Sequence, residues 1–168
     1  MIYNGDVKVH ILDHHAAKAF IPDIPTLAIR IYDSPSINDG NTPDTDLKKS
    51  QLWVNTLEYV FDDLDLNRYP TEYVQQQLPV WNDKFVLFSD KLAHQLLEDF
   101  IPYRNVEQIM VHCTWGWARS PATIFGLRDV FDLDIKWAPG RTRKVVEARK
   151  AMNSAGNDFV YQTLTQAA

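Results

Sequence analysis

Hydrophobic and polar positions alternate along the chain in two rhythms. Val7 to Leu12 follows the two-residue period of a short strand, and Thr26 to Tyr32 (TLAIRIY) is an apolar, β-branched run suited to a buried one. Leu52 to Phe61 predicts a further strand ending at an acidic cluster of Asp62, Asp63 and Asp65. Ile109 to Val111 predicts a short buried strand with Val106 leading into it. Between these runs the spacing changes to that of helices. Leu92, Leu96, Leu97 and Phe100 recur at helical intervals from Ser89 to Ile101, with Ser89 placed as an N-cap. Helices are also predicted over His14–Phe20, Ser120–Phe131, Thr142–Met152 and Asp158–Leu164, with Pro121 in the first turn of the second of these.

Two stretches break the pattern. Residues 33–46 (DSPSINDGNTPDTD) carry dense turn signals and predict a loop. Arg68 to Asp83 places Pro70 and Pro79 around a short helical stretch and reads as an insertion or flap. Strands alternating with helices, no internal repeat and no linker predict one α/β domain spanning 1–168. Its expected architecture is a central mixed sheet of four to five strands flanked by helices.

Composition narrows the function classes. The chain has 168 residues, 45% hydrophobic and 23% charged, so it can bury a core without staples. A net charge of -5 gives no overall pull toward nucleic acid or an anionic membrane, so any anionic substrate needs a local positive site. One cysteine excludes an internal disulfide and a multi-thiolate zinc site, and it fits a reducing, cytoplasmic setting. The N-terminal residues do not read as a signal peptide, and no apolar run reaches the ~18 residues of a membrane span. A monomer is expected, and no metal is needed by the chemistry below.

That chemistry centres on residues 111–121 (VHCTWGWARSP). A strand delivers Cys113, a short loop follows, and Arg119 closes the loop where a helix begins. Consecutive amides in such a loop can form an anion-binding nest, and the helix behind adds its unsatisfied N–H groups and dipole. Gly116 allows the turn, and the planar fork of Arg119 suits a phosphate group. A thiol in this field loses its proton readily and lies ready for in-line attack. Most lone cysteines are simply buried small hydrophobes, but the company of His112, Gly116, Arg119 and Ser120 favours the chemical reading.

His112-Cys113-x-x-Gly116-x-x-Arg119-Ser120 resembles the active-site motif of the cysteine-dependent protein tyrosine phosphatases, and the Arg-Ser-Pro ending is similar to the dual-specificity branch. Outside Ser89 to Phe131 the resemblance is looser. It implies Cys113 as the nucleophile forming a phosphocysteine intermediate. Arg119 and the amides of Thr114, Trp115, Gly116, Trp117 and Ala118 would bind phosphate. Ser120 would help the thiolate leave, and His112 would support it from behind. The implied substrate is a phosphorylated protein or small phosphomonoester, with no cofactor. A general acid is also required. Asp63 is the first choice, because Phe61-Asp62-Asp63-Leu64 is similar to the acidic segment of compact bacterial members; Asp62 is its reserve and Asp83, in Trp81-Asn82-Asp83, the rival. The competing class is an inactive module that keeps the anion nest and reads phosphorylated partners. Trp115 and Trp117 could wall a cleft or pack beneath the loop. Arg141, Arg143, Lys144, Arg149 and Lys150 read as a solvated helix face, with recognition of a second phosphate as the alternative. His10, His14 and His15 read as surface or strand-end residues.

Overall fold

The computed structural model describes residues 5–35 and 46–168. Five strands form one sheet: β1 (Val7–Leu12), β2 (Thr26–Tyr32), β3 (Trp53–Val60), β4 (Gln108–His112) and β5 (Ile135–Trp137), in the order β3-β2-β4-β1-β5. Helices α1 (His14–Ala19), α2 (Thr71–Lys84), α3 (Asp90–Phe100), α4 (Arg119–Phe131), α5 (Arg141–Ala151) and α6 (Asp158–Ala167) complete the α/β domain. Every strand pair is parallel, so the sheet is parallel throughout where a mixed one was expected. The reason lies in the connections: each strand is separated from the next by a long crossover, and no tight hairpin turn joins neighbours.

The predicted strands appear within a residue or two of their expected bounds. β2 is buried at every position, as befits a strand covered on both faces. Leu27, Ile29 and Ile31 join Ile109 and Val111 of β4 in the main core, where Leu96 and Phe100 of α3, Ile124 and Leu127 of α4, and Val160 and Leu164 of α6 cover them. The opposite face is thinner: Ala28 and Met110 meet Ala17 of α1. β5, only three residues long, has too little pattern to be seen in sequence. Ser89 caps α3 as expected, accepting from the Leu92 amide at 3.2 Å.

The flap differs from its expected form. α2 runs through Pro79 for 14 residues, and none of them is buried. Proline removes one hydrogen bond from the helix interior, and this exposed helix continues regardless. Its two ends are tied together at the base, where Asp62 and Val86 exchange hydrogen bonds: Asp62 N to Val86 O at 2.7 Å, and Val86 N to Asp62 Oδ2 at 2.8 Å. Of the predicted loop 33–46, residues 36–45 lie outside the described residues. Among the described residues, no helix is long and apolar enough to cross a membrane.

Candidate active site

Parallel strands all end on one edge of the sheet, and ligands of such sheets bind beyond those carboxyl ends. Here that edge gathers Asp13 and His14 after β1, Asp33 after β2, Phe61 to Asp63 after β3, and Cys113 after β4. The chain from Cys113 to Ala118 leaves β4 and enters α4 at Arg119. Gly116 has φ 68°, and a Cβ there would lie 2.6 Å from the carbonyl of Leu12. The turn therefore presses directly on the end of β1, which only glycine permits.

The loop carbonyls are held by named donors. Thr114 O accepts from the backbone N of His14 at 3.3 Å and from its Nδ1 at 3.1 Å. Trp115 O accepts from Arg141 Nη2, and Trp117 O accepts from Arg149 Nε at 2.9 Å. Ala118 O accepts from the amides of Ala122 and Asn157. The amides are left over: those of Trp115, Trp117 and Ala118 donate to no group among the described residues, and that of Gly116 points to Cys113 Sγ at 3.2 Å. Carbonyls tied back and amides free is the arrangement of an anion-binding nest.

Cys113 is buried, and its Sγ accepts a second hydrogen bond from the Ser120 hydroxyl at 2.8 Å. Behind it, His112 is wholly buried. Its Nε2 accepts from Arg30 Nε at 3.0 Å, so the ring proton is on Nδ1 and donates to Cys113 O at 3.4 Å. Burial and then the Arg30 cation push the His112 pKa down to about 3. His112 is thus a neutral dipole, and no positive charge on it stands behind the sulfur at neutral pH. Arg30 reaches it by register, because Arg30 of β2 lies opposite His112 on β4 and Glu58 on β3.

Arg119 is buried and held from three sides. It pairs with Asp33 Oδ1 at 2.7 Å and donates to Phe61 O at 2.8 Å and to Thr114 Oγ1 at 3.0 Å. Burial works against its charge, but Cys113, Asp33 and Asp63 outweigh it and raise the pKa above the ordinary arginine value. Its Nε–H is buried without an acceptor. An orphaned buried donor is costly, and an oxyanion seated over the loop would satisfy it.

The acidic candidates separate cleanly. Asp62 is buried and spends both oxygens on backbone amides, Ser34 at 2.9 Å and Val86 at 2.8 Å. Asp65 is also buried, accepting from the amides of Asn67, Asp158 and Phe159. Asp83 sits on the exposed α2. Asp63 alone of these is exposed beside the loop, in a cavity of about 220 Å³ that it shares with Tyr69, Trp117, Arg149 and Asn157. Asn157 Nδ2 donates to Asp63 Oδ1 at 2.9 Å.

Several surrounding residues depart from their expected places. His14 is buried and fixes the loop, where a surface or strand-end residue was expected, because its helix starts directly beneath Thr114. Arg149 is buried rather than solvated and, with the exposed Arg141, holds a loop carbonyl; it also stacks 4.5 Å over Trp117. Arg143, Lys144 and Lys150 do stay exposed. Trp115 is 71% exposed and Trp117 45%, so neither packs beneath the loop. Asp33 and Asn157 were not singled out in the sequence. Asp33 directly follows a fully buried strand, a position that in a parallel sheet faces the ligand edge. Asn157 precedes α6 as its N-cap and gives no separate signal. Among the described residues no group of three or more His, Cys, Asp or Glu side chains could hold a metal ion.

No family model, curated protein or solved structure matches this chain.

Proposed function

We propose that the protein hydrolyses phosphomonoesters, phosphotyrosine in proteins foremost and phosphoserine or phosphothreonine with it, through a phosphocysteine intermediate on Cys113, in a reducing cytoplasm. The single observation that supports this reading most is the Cys113–Ala118 loop, whose carbonyls at Thr114, Trp115, Trp117 and Ala118 are tied back while the Trp115, Trp117 and Ala118 amides have no acceptor among the described residues, around a buried sulfur. The motif residues His112, Cys113, Gly116, Arg119 and Ser120 support it from the sequence side.

In this mechanism the free amides and Arg119 take the phosphate oxygens, and the charge that develops in the transition state meets donors already in place. Cys113 Sγ forms a bond to phosphorus while the ester P–O bond breaks. Asp63 gives its proton to the departing oxygen. Water then attacks the phosphocysteine, with the Asp63 carboxylate taking its proton. The S–P bond breaks as the Ser120 hydroxyl donates to the departing thiolate. Asp33 holds the Arg119 guanidinium in place through their ion pair.

The test compares p-nitrophenyl phosphate with phenyl phosphate, a poorer leaving group, in the presence of EDTA and a reductant. Cys113→Ser is expected to abolish turnover of both. Asp63→Asn is expected to lose about 10²–10⁴-fold on phenyl phosphate and clearly less on p-nitrophenyl phosphate, since only the former depends strongly on protonation. A folded parent protein that binds orthovanadate without turnover would instead support a phosphate-reading module. Equal losses on the two esters would remove Asp63 from the acid role.

A further inference from the structure

A second and larger groove, of about 910 Å³, opens between α4, α5 and α6 and shares the Arg149 side chain with the smaller cavity beside Asp63. Its apolar lining comes from Phe125, Trp137 and Val146. Four basic residues line it against two acidic ones, on a protein whose net charge is -5. Arg149 is committed to the loop and Arg128 to Asp129. Of the acidic pair, Asp158 is committed to Ser154 and Ala155. That leaves the exposed Arg143 and Lys150 on α5, which make no ion pair among the described residues, opposed by Glu147 alone.

We propose that this groove receives the residues flanking the phosphorylated side chain of a polypeptide, and that it favours a flank combining an apolar residue with acidic ones. The inference rests on the phosphatase reading of Cys113. The groove shares Arg149 with the cavity beside Asp63 and Trp117, so the chain flanking a phosphorylated residue seated over the loop has a route past that arginine into it. The aromatic and aliphatic lining accepts the apolar residue. Arg143 and Lys150, one on either side of Val146, meet carboxylates at the rim. Both cations are exposed, so their contribution is screened by salt. A small phosphate ester cannot span from the loop into this groove, so the groove confers preference among polypeptides only.

The test uses two phosphotyrosine peptides, one with acidic and leucine residues on both flanks and one with serine and glycine there, alongside p-nitrophenyl phosphate. The parent is expected to favour the acidic peptide by about tenfold or more in kcat/KM, a ratio that reports differential transition-state binding. In Arg143→Glu/Lys150→Glu that preference should collapse to near unity, while p-nitrophenyl phosphate turnover stays within about twofold of the parent. In the parent, raising salt should shrink the preference in the same direction. A preference unchanged by the double charge reversal overturns the inference and leaves the phosphatase reading standing. Absence of turnover on all three substrates overturns both.

Discussion

Asn157 joins three parts of the candidate site through one residue. Its Oδ1 caps α6 at Val160, its backbone amide holds Ala118 O, and its Nδ2 donates to Asp63. On the proposed mechanism it is a positioning residue, acting on the reaction only through Asp63. Asn157→Ala should lower kcat on phenyl phosphate by about tenfold, the scale of one hydrogen bond to a charged group, with KM changing less than about twofold. It also removes a helix cap worth ~1 kcal/mol. Asn157→Ser keeps a capping oxygen, loses the amide donor and adds no charge beside Asp63, so it should retain near-parental melting while showing the kcat loss. A kcat that follows the melting temperature across both variants would make the residue structural only. Nothing in the sequence around Asn157 announces this role, because Asp63 and Asn157 meet only after the chain has folded.

The loop between β4 and α4 was the most legible element, and the reason is locality. Strand, turn, arginine and helix start are contiguous, so their signals are all present in eleven residues (111–121). What holds that loop was not legible. His14, Arg141 and Arg149 reach it from α1 and α5, elements far away in sequence, and Asp33 reaches Arg119 across the sheet edge. Gly116 is where the local and distant parts meet. Gly116→Ala places a methyl against Leu12 and Asp13 in a backbone region that disfavours it, at 2.6–2.8 Å from backbone atoms. The expected cost is about 1–3 kcal/mol of stability, roughly 2–4 °C in Tm per kcal/mol for a chain of this size. Orthovanadate binding, followed by quenching of Trp115 and Trp117 fluorescence, should be lost as well. Unchanged melting together with unchanged quenching would show that the loop tolerates a side chain there.

The stability of the molecule should carry the imprint of His112. Its pKa in the folded protein is about 3, against 6.5 for the unperturbed side chain, because burial and Arg30 oppose its charge. Between those values the unfolded chain binds the extra proton, so stability rises with pH across the window and falls as pH drops from 6.5 toward 3. The slope from this one group reaches about 1.4 kcal/mol per pH unit. Urea unfolding of the parent and of His112→Gln should therefore converge as pH falls, their difference narrowing by about 1.6 kcal/mol between pH 6.5 and pH 5. Parallel curves would show that His112 charges inside the fold. The α/β class, the single domain and four of the five strands were readable from hydrophobic rhythm. The uniformly parallel sheet was not, since orientation is set by how crossovers pack, and only β2 and β4 are buried throughout as doubly covered strands are.

The Asp62–Val86 clasp bears on how such a protein can diversify. It closes the sheet-side ends of the excursion that carries α2, and the carboxylate of Asp62 also braces Ser34 beside β2. Since α2 buries none of its residues, the helix Thr71–Lys84 itself is close to a detachable cassette. Sequence drift, lengthening or wholesale exchange of that cassette would leave the sheet and the loop over Cys113 unperturbed. No residue of α2 lines the cavity by Asp63; Asp63, Leu64, Asp65, Arg68 and Tyr69, between the clasp and the helix, do. A lineage could thus retarget this scaffold by swapping one surface helix while inheriting its chemistry intact.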